Sequence, residues 1–328
     1  MHTINRTGLG SGLETGLKTG PVTEASADWT HVPERSNMAM LRVMTWISLR
    51  LGRRASRVIL RGIALYFLIF APVSRRASQA YLTRVLSRPP RWTDIYRHFF
   101  CFAATIHDRV YLLNERFDLF DITVRGEQTM IDALAQGQGV FLIGAHMGSF
   151  EVIRTLGRRH TRLKVAMAMY EENARKINQM LSAINPSAHQ DVVSLGHVDS
   201  MLKINQYLDA GTFVGMLADR TINGDLTRPV ALLGAHANMP MGPFRMAAIL
   251  RRPVVFMTGL YLGGNRYEIH FERLADFSGT QKHTRQADIA QAMTAYTALL
   301  EKHCRRTPYN WFNFFNFWAP ATTGGDKD

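Results

Sequence analysis

Cysteine is almost missing from this chain: Cys101 and Cys304 are the only two among 328 residues. They offer no C-x-x-C or other zinc spacing, which excludes a disulfide framework and a thiolate metal site. Two free thiols in a reducing compartment are the expectation. Missing too is an apolar run of roughly 20 residues, the length that crosses a bilayer core. The run GIALYFLIFAPV, Gly62–Val73, stops short of it. No G-x-S-x-G elbow is present to suggest a nucleophilic serine. No H-E-x-x-H spacing supplies a metal site. Finally, Asp, Glu and Lys vanish between Arg35 and Thr93, where twelve arginines stand.

What is present is basic. The net charge is +13 and most of the excess lies in that arginine segment. Such a balance suits nucleic acid, a membrane or anionic substrates. Arg50, Arg53, Arg54, Arg57 and Arg61 recur at three- and four-residue spacing, so a helix would carry them along one face. Leu49, Val58, Ile59 and Leu65 add apolar surface beside them. An interfacial or shallowly inserted basic helix fits this pattern best. A core helix with a solvated arginine face, and a short span with snorkelling arginines, are the alternatives. Nucleic acid is disfavoured, because the arginines alternate with aliphatic residues and no recognition motif appears.

The chain divides by composition. Residues 1–37 read as a disordered tail without a secretory signal. Residues 38–92 read as the basic membrane-associated helical segment, 93–320 as an α/β domain, and 321–328 as a flexible end. A helical period runs from Thr93 to Asn114. Strands are expected at Gly139–His146, Leu163–Met169, Asp191–Leu195, Thr212–Ala218, Pro253–Leu262 and Tyr267–Glu272. Helices are expected near Gln128–Gln136, Ser149–Leu156, Glu172–Ile184, Val198–Asp209, Pro243–Leu250 and Thr284–Arg305. This alternation argues a central mixed sheet flanked by helices.

The segment GVFLIGAHMGSFEVIR, Gly139–Arg154, carries the sharpest chemical signal. His146 stands at the carboxyl end of a strand, before a helix that Ser149 would cap. Open α/β sheets keep their ligand crevice there. Gly144 and Gly148 let the backbone turn beside it. Glu151, five residues on, can reach back to an imidazole nitrogen and fix its tautomer. Backbone N–H groups at Gly148 and Ser149 could serve an oxyanion. A lone histidine at a strand end is also a common structural residue, and pattern alone leaves both readings open. Arg220, Asp225 and Arg228 share one loop after a strand; they could hold a phosphate or form a solvated salt bridge. The aromatic run Trp311–Trp318 could line an acyl channel or close the core. Methionines 167, 169, 239, 241 and 246 read first as core. Lys164, Arg158, Arg159 and Arg162 could dock an acidic carrier or face solvent.

The His146–Glu151 segment resembles the H-x-x-x-x-D/E block of the lysophospholipid acyltransferase superfamily, in the branch of the late acyltransferases of lipid A biosynthesis. Gly215-Met-Leu-Ala-Asp-Arg is similar to a second block, with Asp219 at the position of the functional aspartate. Met241-Gly-Pro-Phe and Pro308-Tyr-Asn-Trp match two more. The resemblance implies a glycerolipid acyltransferase-like fold and a non-covalent transfer by His146 as general base. The donor would be an acyl-carrier-protein thioester and the acceptor a hydroxyl or amine of a lipid. Action at the cytoplasmic face of the inner membrane follows, with no cofactor and no metal. His146, Glu151 and Asp219 take the catalytic positions; Gly148, Ser149, Arg220, Arg228 and Trp311 take substrate-binding ones. A membrane-associated lipid-binding protein without activity is the second reading. Three departures stand out: no His-Arg-Arg run follows Trp311, no arginine lies in 187–190, and Arg220 replaces Gln or His. They count against a bis-phosphorylated lipid A acceptor. The Tyr-Asn-Trp-Phe-Asn-Phe ending resembles acyltransferases of aryl-polyene and xanthomonadin pathways.

Overall fold

The structure, a computed structural model, describes residues 35–318 except 136, 154–163, 186–190, 198 and 222–224. The expected tail and C-terminal end, the Arg158–Arg162 cluster and the segment at 187–190 lie wholly or mostly outside the described residues. Three helices lead: α1 (Arg35–Phe70), α2 (Pro72–Leu86) and α3 (Trp92–Leu113). There follow β1 (Asp121–Arg125), α4 (Glu127–Ala135), β2 (Phe141–Gly144), β3 (Val165–Tyr170), α5 (Glu171–Ile184) and β4 (Val192–Leu195). Then come α6 (Ser200–Asp209), β5 (Phe213–Leu217), β6 (Thr227–Leu232), β7 (Ala235–Pro240) and α7 (Gly242–Ile249). The last elements are β8 (Pro253–Gly263), β9 (Arg266–Asp276) and α8 (Arg285–Arg306).

Seven strands form one mixed sheet in the order β1-β9-β8-β2-β5-β3-β4. All neighbours are parallel except β8 and β9. The fold class expected from alternation is the one observed. The central strand β2 is buried along its whole length, as a strand covered on both faces must be. Its residues alternate between two cores. Phe141 and Ile143 join Val254, Phe256 and the α8 residues Met293, Tyr296 and Leu300 on one face. Leu142 joins Val255, Met257 and the α3 and α5 residues Val110, Leu112, Leu181 and Ile184 on the other.

Two parts escape the expectation. Strand β1 pairs at the sheet edge, with exposed positions at alternate residues. Its polar Asp-Ile-Thr-Val-Arg sequence carries little apolar signal. The hairpin β6–β7 contains Pro229 and Pro240, which argue against a strand in any sheet interior. It stands apart as a two-stranded ribbon turning at Leu233 and Gly234, both at positive φ (50° and 77°). That is the two-residue turn a twisted hairpin needs. The Glu301 carboxylate accepts from Leu233 N at 2.7 Å and holds the strained residue.

The arginine helix divides its charges. α1 breaks at Gly52, where φ is 77°. Arg53 and Arg57 turn inward, not outward as the spacing suggested. Arg53 makes two hydrogen bonds, 2.7 and 2.8 Å, to Asp108 of α3, which also accepts from the Tyr267 hydroxyl. Arg57 bonds the Tyr261 hydroxyl at 2.5 Å. Arg50, Arg54 and Arg61 remain exposed. Beside them Trp46, Leu49, Val58, Ile59, Leu65, Tyr66, Phe67, Ile69 and Phe70 are exposed as well. These exposed apolar residues all belong to α1, beside its exposed arginines. No single described helix is long and apolar enough to cross a membrane; Thr45–Phe70 with Pro72–Leu86 pass that test only as a pair bent by 95°.

His98 of α3 is fully buried between these helices and the chain end. Its Nε2 meets Trp311 O at 2.8 Å and its Nδ1 meets Ser78 Oγ at 2.8 Å. A carbonyl only accepts, so Nε2 carries the proton, and in the neutral ring Nδ1 accepts from the Ser78 hydroxyl. Burial lowers its pKa from 6.5 to about 4, against the raising effect of the Trp311 carbonyl. Below pH 6.5 the unfolded chain therefore binds a proton that the folded chain refuses, and stability falls until pH reaches about 4. The loss from this one group approaches about 1.4 kcal/mol per pH unit. Denaturation followed from pH 7 to 4 should show a shallower decline for His98→Gln than for the parent. Identical slopes would place the sensitivity elsewhere.

Candidate active site

Strands β2 and β5 are parallel neighbours, and Gly144 lies in register with Leu217. Ala218 N continues the ladder to Gly144 O at 3.0 Å. Two residues beyond each paired position come His146 and Asp219, so the two carboxyl ends set these side chains together. His146 Nδ1 lies 2.8 Å from Asp219 Oδ1. The His146 backbone N–H donates to Asp219 Oδ2 at 2.9 Å. The same oxygen accepts from Trp311 Nε1 at 2.9 Å and Asn313 Nδ2 at 3.0 Å. Asp219 is sealed from solvent, while the imidazole keeps 30% of its side-chain surface exposed. A carboxylate on Nδ1 leaves Nε2 as the nitrogen able to take a proton from an approaching group.

The chain end builds the other wall. Trp311 pairs with Met147 in an isolated bridge, and Phe312 N donates to His146 O at 2.8 Å. Asn310 holds both sides: its carbonyl accepts from Gly148 N at 2.8 Å, and its amide bonds Tyr261 N and O at 2.8 and 3.0 Å. Gly148 sits at φ 65°, and a Cβ there would lie 2.0 Å from Gly259 O. Only glycine lets the loop pass β8 this closely.

The electrostatics follow from burial and neighbours. Burial works to raise the Asp219 pKa, but the charges of His146 and Arg220 and the His146 hydrogen bonds hold it well below the usual carboxylate range. His146 moves the other way. Partial burial lowers its pKa, the Asp219 carboxylate opposes this, and the Arg220 charge adds to the lowering. At neutral pH the imidazole is thus a free base beside an ionised carboxylate.

The sequence pointed first to Glu151 as the partner of His146; the bond to Nδ1 is made by Asp219. Register places Asp219 across the crevice, whereas Glu151 lies in helical backbone beyond the turn, buried, with Arg109 Nε 3.6 Å from Oε1. The N–H groups of Gly148 and Ser149 do not wait for an oxyanion: Ser149 N donates to Gly259 O at 2.7 Å, as Gly148 N does to Asn310 O. Arg220 lies at the site, its Nε on Asn313 Oδ1 at 2.8 Å and its Nη2 on Phe312 O at 3.0 Å. Arg228 is not in the loop with it. It is exposed on β6, opposite Met239. Asp225 accepts instead from the Tyr170 hydroxyl at 2.8 Å. Trp311 is 1% exposed and braces Asp219 rather than opening to a ligand. Phe312 is buried, and Phe314, Phe317 and Trp318 pack against the core, so this run closes it. Met167 and Met239 are core residues, as expected. Cys304 is a buried free thiol and Cys101 a partly buried one.

Asn310 and Asn313 stood in the Tyr-Asn-Trp-Phe-Asn-Phe ending without a role of their own. Nothing in a lone asparagine marks it as a brace; only the return of the chain end to β2 does. Among the described residues, His270, Glu272 and His303 have ligand atoms within 4.8 Å of one another. The carboxylates there already have cations beside them, Lys302 on Glu272 and Arg306 and Arg125 on the adjacent Glu268, with His303 and His270, whose pKa values burial lowers, in contact as well. Little uncompensated negative charge is left there for a metal ion.

A mixed sheet with a His–Asp pair at the carboxyl ends of adjacent parallel strands, and no nucleophile in the pair, defines a site for base chemistry. The family model for bacterial lipid A biosynthesis acyltransferases matches residues 33–319, and the chain belongs to that family. It is thus an acyltransferase of the kind that acts on lipid A-like acceptors. No curated protein matches the chain significantly.

Proposed function

We propose that the protein moves an acyl chain from an acyl-carrier-protein thioester to a hydroxyl or amine of a lipid A-like acceptor, with His146 as general base. The observation that carries this is the 2.8 Å contact between His146 Nδ1 and Asp219 Oδ1, made by a carboxylate that three further N–H donors hold in place. Asp219 keeps the proton on Nδ1, leaves Nε2 basic, and stabilises the imidazolium that forms. No covalent enzyme intermediate is required, because the base activates the acceptor itself. The exposed arginine and aromatic face of α1 supports action at the cytoplasmic surface of the inner membrane, where arginines meet anionic headgroups. Our finer reading puts the chain nearest the aryl-polyene and xanthomonadin-pathway branch, on its Tyr309–Phe314 ending. In this fold that ending frames Asp219, through Trp311 Nε1 and Asn313 Nδ2.

The test is transfer from an acyl-carrier thioester, read by product mass, to a lipid A precursor and to an unphosphorylated lipid alcohol. It is run with and without anionic vesicles. Turnover should rise when vesicles are present. Because the His146 pKa lies below 6.5, kcat/KM should climb with pH through a midpoint below that value and be level at neutrality. No product from either acceptor removes the proposal, and a midpoint well above 6.5 removes His146 as the base.

A further inference from the structure

Acyl transfer places negative charge on the thioester oxygen, and the loop beside His146 has no N–H group left for it. From His146 to Ser149 every backbone donor is in use: on Asp219 Oδ2, on Ala145 O at 2.6 Å, on Asn310 O and on Gly259 O. A cation stands beside this loop instead. Arg220 follows Asp219 directly, and two of its guanidinium nitrogens are tied to Asn313 Oδ1 and Phe312 O. Those two residues also hold the dyad, through Asn313 Nδ2 to Asp219 and Phe312 N to His146 O. The guanidinium is therefore fixed to the peptide that fixes His146. Phe315 packs against it, its ring centre 5.7 Å away. The third nitrogen, Nη1, has no hydrogen bond among the described residues and is not sealed from solvent. The Arg220 charge reaches the His146 ring and lowers its basicity.

We propose that Arg220 Nη1 is the donor that stabilises the thioester oxyanion, an inference that rests on the acyl-transfer reading above. As the acceptor oxygen or nitrogen bonds to the thioester carbon, its proton passes to His146 Nε2. The carbonyl electron pair moves onto oxygen beside the guanidinium. Collapse restores the C=O bond and breaks C–S, and the departing carrier thiolate recovers the proton from the imidazolium. Nothing further is consumed. A cation next to His146 disfavours imidazolium on its own. That opposition is relieved when the oxyanion forms in the same step, so the guanidinium acts on the transition state more than on bound substrate.

Arg220→Gln and Arg220→Lys test this with the acyl-carrier thioester. Two inert ligands accompany them: an acyl phosphonate, which carries the oxyanion's charge, and the matching neutral ketone. For Arg220→Gln, kcat should fall about 10²-fold, with thioester KM nearly unchanged. Phosphonate affinity should fall in parallel and ketone affinity should not. Loss of the cation should also move the acid limb of the pH profile upward. Arg220→Lys should retain part of the rate, and added guanidinium ion should partly restore Arg220→Ala. The proposal is overturned by a parental kcat in Arg220→Gln, by a loss confined to acceptor KM, or by equal loss of phosphonate and ketone binding. If Arg220→Gln does not fold, Arg220→Lys carries the same comparison. A parent protein inactive with every thioester would sink the acyl-transfer reading instead, and the phosphonate-to-ketone ratio would still decide the place of Arg220.

Discussion

Asp219→Asn and His146→Ala should each lower turnover by about 10³-fold, and the double variant should be only slightly worse than either. Residues that act as one unit lose their function together. The asparagine variant is the more informative. Asp219 accepts three N–H donors on Oδ2 and the imidazole on Oδ1. An asparagine that keeps its carbonyl on the three donors must turn its NH2 toward Nδ1. Nδ1 must then accept, and the proton moves to Nε2, the nitrogen meant to receive one. The base is lost while size and packing are kept. Asp219→Asn should therefore unfold within a few degrees of the parent. Nitrogen NMR of the imidazole should report the exchanged tautomer. Full activity in Asp219→Asn would sink the dyad; a collapse in melting temperature would show only a structural carboxylate.

Gly148→Ala should cost on the order of 4 kcal/mol of stability, beyond the ordinary range for a single methyl. Two causes add. The left-handed backbone alone costs an alanine about 1 kcal/mol. Steric contact costs more: the new Cβ would stand 2.0 Å from Gly259 O, a backbone atom with no rotamer to escape into. Relief requires the loop to lift from β8, which breaks the bonds of Ser149 N to Gly259 and Gly148 N to Asn310. An unpaired buried amide costs about 1–3 kcal/mol. Thermal unfolding should drop by about 10 °C, and because the loop carries His146, turnover should fall with it. An alanine variant with the parental melting temperature would mean that this loop has room the geometry denies.

Much of the architecture was legible because the residues are consistent with it locally. Gly139–Ala145 is apolar and buried throughout, and its middle, Phe141–Gly144, is the central strand of the sheet. Of the helical period through Ile95, Phe99, Phe102, Ile106, Val110 and Leu113, four positions are buried on the inner face of α3, while Ile106 is half-buried and Phe102 exposed. The hairpin at 227–240 was not legible, because Pro229, Gly234, Asn238 and Pro240 carry loop chemistry, and pairing of two short strands outweighed them. The arginines of α1 show the same limit. Their spacing reveals a helix, but which of them face inward depends on Asp108, 55 residues away from Arg53.

By itself the sequence determined the period of each long element, the basic helix at the front, and His146 at a strand end. Local periodicity and turn chemistry suffice for that, since they act over a few residues. The tertiary structure alone decided the partner of the imidazole. Asp219 lies 73 residues from His146, and only the parallel pairing of β2 with β5 puts both beyond adjacent strand ends. It also decided that Trp311 and Asn313 brace that carboxylate, because a chain end can reach the centre of a sheet only after the sheet has formed.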